Sequence, residues 1–192
     1  MAIEIRETFT IRAPIDTVWR FMMDPQRVAA CMPGAELEQV VDERTFVGNV
    51  KVKVGAITAR YKGRVQLTAV DLDARTVQMV AEGRETGGGT AKGSMSSRLR
   101  ALADGQTEVV AEASVDLTGR IMQVGRGMIQ GVSHQLFLQF VTVATRNLEQ
   151  GAEPASVVVK EQPAIRIVPI VLQVLWAAVV RFFRRLARRQ PA

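Results

Sequence analysis

Between Glu36 and Leu117 the chain reads as one short alternating segment after another, each closed by a turn signal. In TFVGNVKVKVG, Val50, Val52 and Val54 fall on one side while Lys51 and Lys53 fall on the other. ELEQVV precedes it, and ITARYKGRVQLTAV, TVQMVAEG, AKGSMSSRLRAL and TEVVAEASVDL follow. The breaks come at Asp42-Glu43, Asp71–Arg75, Glu85–Gly89 and Asp104-Gly105. Successive side chains of a strand point to opposite faces, so the pattern predicts about six antiparallel strands with one wet face. The other face must be covered.

The flanking segments supply the cover. AIEIRETFTIR, residues 2–12, places Ile3, Ile5, Phe9 and Ile11 on one strand face, with a break near Glu7. Ala13-Pro14-Ile15-Asp16 starts a helix, and Pro14 suits its first turn, where a missing N–H costs nothing. Val18, Trp19, Phe21 and Met22 follow at helical spacing. Asp24-Pro25 ends that helix and opens a second over Gln26–Ala30, and Cys31-Met32-Pro33-Gly34 must turn. Residues 121–149 form the long proline-free stretch with helical period. Met122, Gly125, Ile129, Val132, Leu136, Phe140 and Val143 make its apolar stripe, with Met128 and Leu148 beside it. The predicted fold is therefore α+β: a curved antiparallel sheet of about seven strands that receives a long C-terminal helix across its inner face.

Charge divides the chain. The net charge of +6 suggests nucleic acid binding until it is located. Residues 1–164 hold 19 basic and 19 acidic side chains, whereas the last 28 residues hold six arginines and no acid. A nucleic-acid-binding domain spreads its cations over a folded face, so that class is excluded. The expected organisation is a domain over 1–150, a linker over 151–164 and a basic, apolar helix over 165–192. One cysteine, Cys31, excludes an internal disulfide, and the N-terminus lacks the apolar core of a secretory signal, so a cytosolic body is expected.

The last segment reads as a membrane-seeking helix. Residues 167–180 contain one polar side chain, Gln173. At about 1.5 Å per residue these 14 positions span about 21 Å, short of the roughly 30 Å hydrocarbon layer. Arg181, Arg184, Arg185, Arg188 and Arg189 then share one helical face, while Phe182 and Phe183 point elsewhere and Trp176 suits headgroup depth. A full span would carry the arginines away from the cytosol, against the positive-inside bias. Arginines left at an anionic surface gain about 1 kcal/mol each. A partly inserted anchor on anionic lipid is the expectation, with a full span or a protein-docking helix as alternatives.

Catalytic patterns are sparse. With one histidine, His134, and one cysteine, a three-His site or a Cys/His cage is impossible. A Cys31–His134 dyad is conceivable, but His134 lies off the apolar stripe, and a solvated histidine with a packed cysteine is the expectation. Glu36/Glu38 and Asp71/Asp73 fall on strand faces or turns and read as solvent-exposed. GGGTAKGS lacks the strand-to-helix setting of a phosphate loop and reads as a hairpin end, or as a lid. Met22, Met23, Met32, Met79, Met95, Met122 and Met128 gather with Phe21, Tyr61 and Phe140 in the same elements. Such side chains either fill a core or line a surface that adapts to an apolar guest.

The order of elements resembles the START-like, helix-grip fold. Within it, APIDTVWRFMMDPQRVAACMPG (13–34), VKVGAITARYKGRVQL (52–67), GGGTAKGSM (87–95) and GRIMQVGRGMIQGV (119–132) resemble the carbon monoxide dehydrogenase G-subunit family. The resemblance covers about residues 1–150. It implies a non-catalytic accessory protein that recruits a molybdenum carbon monoxide dehydrogenase, or a related molybdenum hydroxylase, to the cytoplasmic face of the cell membrane. It also implies an apolar cavity for a non-covalently held quinone, menaquinone or another isoprenoid quinone, passing electrons to the respiratory chain. Phe21, Met22, Met32, Tyr61, Met79, Met95, Met128, Val132, Leu136 and Phe140 are the candidate lining. A START-like cyclase or hydrolase, a general lipid-binding protein and a pure interaction protein with a filled core are the alternatives.

Overall fold

The structure is a computed structural model that describes residues 2–150. The expected linker and arginine-rich helix lie outside the described residues. In chain order the elements are β1 (Ala2–Ile11), α1 (Ile15–Met22), α2 (Pro25–Cys31), β2 (Ala35–Asp42), β3 (Thr45–Val54), β4 (Ile57–Asp71), β5 (Thr76–Glu85), β6 (Thr90–Ala101), β7 (Thr107–Leu117) and α3 (Arg126–Glu149). The strands form one curved antiparallel sheet in the order β1-β7-β6-β5-β4-β3-β2. The first strand thus closes onto the last, and β1 and β2 are the edges.

Alternation sets the faces, and one bulge adjusts them. Leu67 and Val70 both pack into the core although they are three residues apart. A regular strand would send them to opposite sides. In β4 the register slips between Leu67 and Ala69, so that Leu67 faces Met79 and Val70 faces Val77 on β5. The extra residue brings both side chains inward and bends the strand. The break expected at Glu7 does not occur: β1 runs on through it, with Glu7 opposite Ala111 on β7.

Capping places the short helices. Asp24 caps α2 by accepting from the N–H groups of Gln26 (3.0 Å) and Arg27 (3.1 Å), with Pro25 in the first helical position. Pro14 sits one position earlier than expected. It is extended (φ −61°, ψ 146°) and caps α1 through its carbonyl, which accepts from Thr17 (2.9 Å) and Val18 (3.1 Å). Arg75, in the β4–β5 turn, pairs with Asp16 and lies over the Trp19 ring at 5.5 Å, which ties α1 to the sheet.

The long helix begins later than its hydrophobic period suggests. Arg120–Val124 form a 3-10 turn, and Gly125 (φ 86°, ψ 148°) breaks the chain before α3 starts at Arg126. That backbone conformation is essentially open to glycine alone, so Met122 and Gly125 belong to the entry and not to the stripe. At its other end α3 is tied twice: Asn147 Nδ2 donates to Cys31 Sγ (3.3 Å), and Glu149 accepts from the Arg12 N–H (3.2 Å).

Two apolar clusters lie between the sheet and its helices. The larger joins Ile11, Val18, Trp19, Phe21, Val77, Leu99, Val109, Ala144 and Leu148. The smaller joins Val54, Ala59, Tyr61 and Ile121, with Val50, Val52 and Val132 packed against it.

Candidate functional site

The larger cluster is not filled. It surrounds a partly open cavity of about 100 Å³. The inner faces of β1, β4, β5, β6 and β7 wall it on one side, and Phe21, Met22, Val28, Phe137, Phe140, Ala144 and Leu148 close it from the helices. Phe137 is held by an edge-to-face contact with Phe9 of β1, ring centres 6.0 Å apart. One turn earlier on α3, His134 Nδ1 lies 2.8 Å from Glu7 Oε1. The polar interruption in β1 is therefore the point where the long helix fastens to the sheet edge.

The lining is apolar except for one residue. Ser97 of β6 points inward between Val77 of β5 and Ala111 of β7, its partners in register. It is 3% exposed, and its Oγ has no hydrogen-bond partner. No titratable side chain reaches the cavity among the described residues.

Of the ten candidate lining residues, the structure brings Phe21, Met22, Met79, Met95 and Phe140 to the cavity wall. It places the other five elsewhere. Tyr61 and Val132 belong with the smaller cluster. Met128, near Gly55, is 49% exposed, and Met32, where the chain turns extended after α2, is 36% exposed. Leu136 is half-buried and does not line the cavity. For Met128, Val132 and Leu136, all on α3, the reason is helical phase. Phe137, Phe140, Ala144 and Leu148 form the row that faces the void, one position round from the expected stripe. Sequence reading missed Phe137 and Ser97. The 3–4–4 spacing from Phe137 to Leu148 was a usable signal for the first, and for the second period two puts Ser97 on the face of Met95 and Leu99, opposite Ser94, Ser96 and Arg98.

The catalytic alternatives come apart on geometry. Cys31 is buried against Asn147, and His134 is engaged by Glu7, so they form no dyad. Burial pushes the Cys31 thiol above its ordinary range, outweighing the lowering by Asn147 and Arg27. Glu38 is exposed and bound to Lys62 (2.7 Å) and Asn49 (2.7 Å), which hold its carboxyl below the usual carboxylate range. Asp71 accepts from the Ala74 N–H (2.8 Å) as a turn residue. No group of three metal-ligating side chains occurs among the described residues.

The glycine hairpin has a structural task. Gly89 packs so closely on Thr118 and Gly119 that a Cβ there would meet the Thr118 carbonyl at 2.6 Å. Thr90 and Thr118 seal the contact through their hydroxyls at 2.7 Å. Beneath it, Arg120 pairs with the buried Glu85 (3.1 Å). Burial, and secondly the Glu85 charge, push the Tyr61 hydroxyl pKa up. None of Gly87, Gly88 or Gly89 lines the cavity.

The expected anchor residues Trp176, Arg181, Phe182, Phe183, Arg184, Arg185, Arg188 and Arg189 lie outside the described residues. Among the described residues no helix is long and apolar enough to cross a membrane.

A curved seven-stranded sheet gripping a long helix over an apolar cavity defines the START-like class, and solved structures agree on the fold. A conserved protein from Geobacillus kaustophilus superposes with a TM-score of 0.71 at 17% identity, covering 79% of this chain and 98% of its own. The Zhui aromatase/cyclase from Streptomyces sp. R1128 gives 0.59 at 18% identity, covering 81% and 99%. A START superfamily protein from Mycobacterium smegmatis gives 0.54 at 13%, covering 78% and 99%. No curated protein matches the sequence. Residues 8–148 match the family model of the carbon monoxide dehydrogenase G subunit (CoxG), and the chain belongs to that family.

Proposed function

We propose that this protein is a non-catalytic accessory protein that holds an apolar molecule in its cavity and recruits a molybdenum carbon monoxide dehydrogenase, or a related molybdenum hydroxylase, to the cytoplasmic face of the cell membrane. The bound molecule in this reading is an isoprenoid quinone such as menaquinone, through which electrons pass to the respiratory chain. The arginine-rich segment 165–192 attaches the protein to anionic lipid. Family membership supports the association with the dehydrogenase.

The observation that carries the ligand reading is the unfilled, apolar space between sheet and helix. A cavity of about 150 Å³ accommodates benzene, so about 100 Å³ is on the scale of one ring. A quinone head therefore enters only as the wall gives way, and its isoprenoid chain stays outside. Met22, Met79 and Met95 supply that give, because an unbranched thioether repacks at little cost. The cyclase or hydrolase alternative needs an acid or base facing the substrate. The lining offers one hydroxyl and no titratable group.

Two measurements test the two halves. Protein extracted from membranes and analysed by mass spectrometry should carry an isoprenoid quinone; protein that leaves the membrane empty and takes up no added quinone ends the carrier half. Removing residues 165–192 should abolish pelleting with anionic vesicles, and undiminished pelleting ends the anchor half.

A further inference from the structure

A buried hydroxyl without a partner is a net cost to folding, and proteins seldom keep one without a use. Ser97 Oγ is such a group, and its side chain lines the void. Two other buried hydroxyls differ. Thr107, fully buried, donates to the Ala13 carbonyl at 2.7 Å. The Tyr61 hydroxyl, also unpartnered, has the Glu85 carboxylate as its electrostatic neighbour in the smaller cluster. Ser97 has Val77 on one side and Ala111 on the other, with Met79 and Met95 one step along the sheet.

Water is a poor complement here. A buried water makes about three hydrogen bonds, and Ser97 is the one polar side chain this wall offers. A carboxylate is worse, since its charge would be desolvated against a single neutral donor. A neutral oxygen on an otherwise apolar molecule is matched on both counts.

We infer that Ser97 is a ligand-binding residue, whose hydroxyl hydrogen-bonds a neutral carbonyl or hydroxyl oxygen at the buried end of an apolar ring-bearing guest. This rests on the reading of the cavity as a ligand site and narrows it. Ketones, quinones and alcohols enter oxygen first, while fatty acids do not enter carboxylate first.

The test uses the full-length chain with three probes: menadione (a methylated naphthoquinone), 2-methylnaphthalene, which keeps the rings and lacks the oxygens, and decanoate. Wild type should bind menadione more tightly than methylnaphthalene, while decanoate, which does not place its carboxylate at Ser97, should bind wild type and Ser97→Ala alike. Ser97→Ala should weaken menadione about 2- to 10-fold, the worth of one neutral hydrogen bond, and leave methylnaphthalene within twofold. Its thermal midpoint should be unchanged or raised, which serves as the folding control. The infrared carbonyl band of bound menadione should lie lower in wild type than in Ser97→Ala. If the variant binds menadione like wild type, or weakens both ring probes equally, or leaves the carbonyl band in place, the assignment of Ser97 is overturned while the cavity remains a ligand site. If neither ring probe binds wild type, the ligand-site reading falls with it.

Discussion

Cys31 shows how a residue with reactive chemistry becomes a packing unit. The residue is 2% exposed, and this burial favours the neutral thiol, outweighing the hydrogen bond its sulfur accepts from Asn147. A thiol pKa raised by folding contributes stability that is complete below the unfolded value, about 8.5, and is lost as pH rises through the folded one. Urea unfolding from pH 7 upward should therefore fall off more steeply in wild type than in Cys31→Ala above about pH 8.5. Parallel curves would show that the thiol does not feel its burial. His134 is the converse case. Its half-exposed position looks idle in the sequence, yet it makes the polar contact between α3 and the edge strand.

At the scale of elements, the start of α3 is its weakest part. A Cβ built on Gly127 or Gly131 meets nothing within 4 Å outside the helix backbone, so these glycines leave space instead of permitting close contact. Each lowers helix stability by about 1 kcal/mol relative to alanine. Gly131→Ala should accordingly raise the unfolding free energy by about 0.5–1 kcal/mol. Gly125→Ala should do the opposite, losing about 1–3 kcal/mol, because φ of 86° is strained for any side chain. Chemical denaturation of the two variants checks both signs. Equal effects would mean that α3 begins differently in solution.

For the molecule as a whole, the cavity sets stability against function. An unfilled volume of about 100 Å³ costs at most roughly 2 kcal/mol at about 24 cal/mol per Å³. Ala144, buried on α3 and facing the void, is the place to fill it. Ala144→Leu should hold or raise stability by up to about 1 kcal/mol while abolishing menadione binding. A stable variant that still binds would show that the guest sits elsewhere. The same balance explains why the methionines matter. They give the wall a shape that can change without a change in the sheet.

Most of the architecture was legible in the sequence. The order of elements, the turns between strands and the inward side of β3 follow from period-two alternation and from Pro, Gly and Asp punctuation, which act within a few residues along the chain. Met22, Met79 and Phe140 could be picked out because flexible and aromatic side chains stood on the faces that had to be covered. Local pattern could not say which apolar residues touch a neighbour and which face a gap. That depends on Phe9, Ser97, Ala111 and Phe140 meeting from four distant points of the chain. It depends also on a one-residue bulge in β4 and on a glycine break that sets the phase of α3. Periodicity assigns a side chain to a face, but a void belongs to the space between two faces, and only folding brings those faces together.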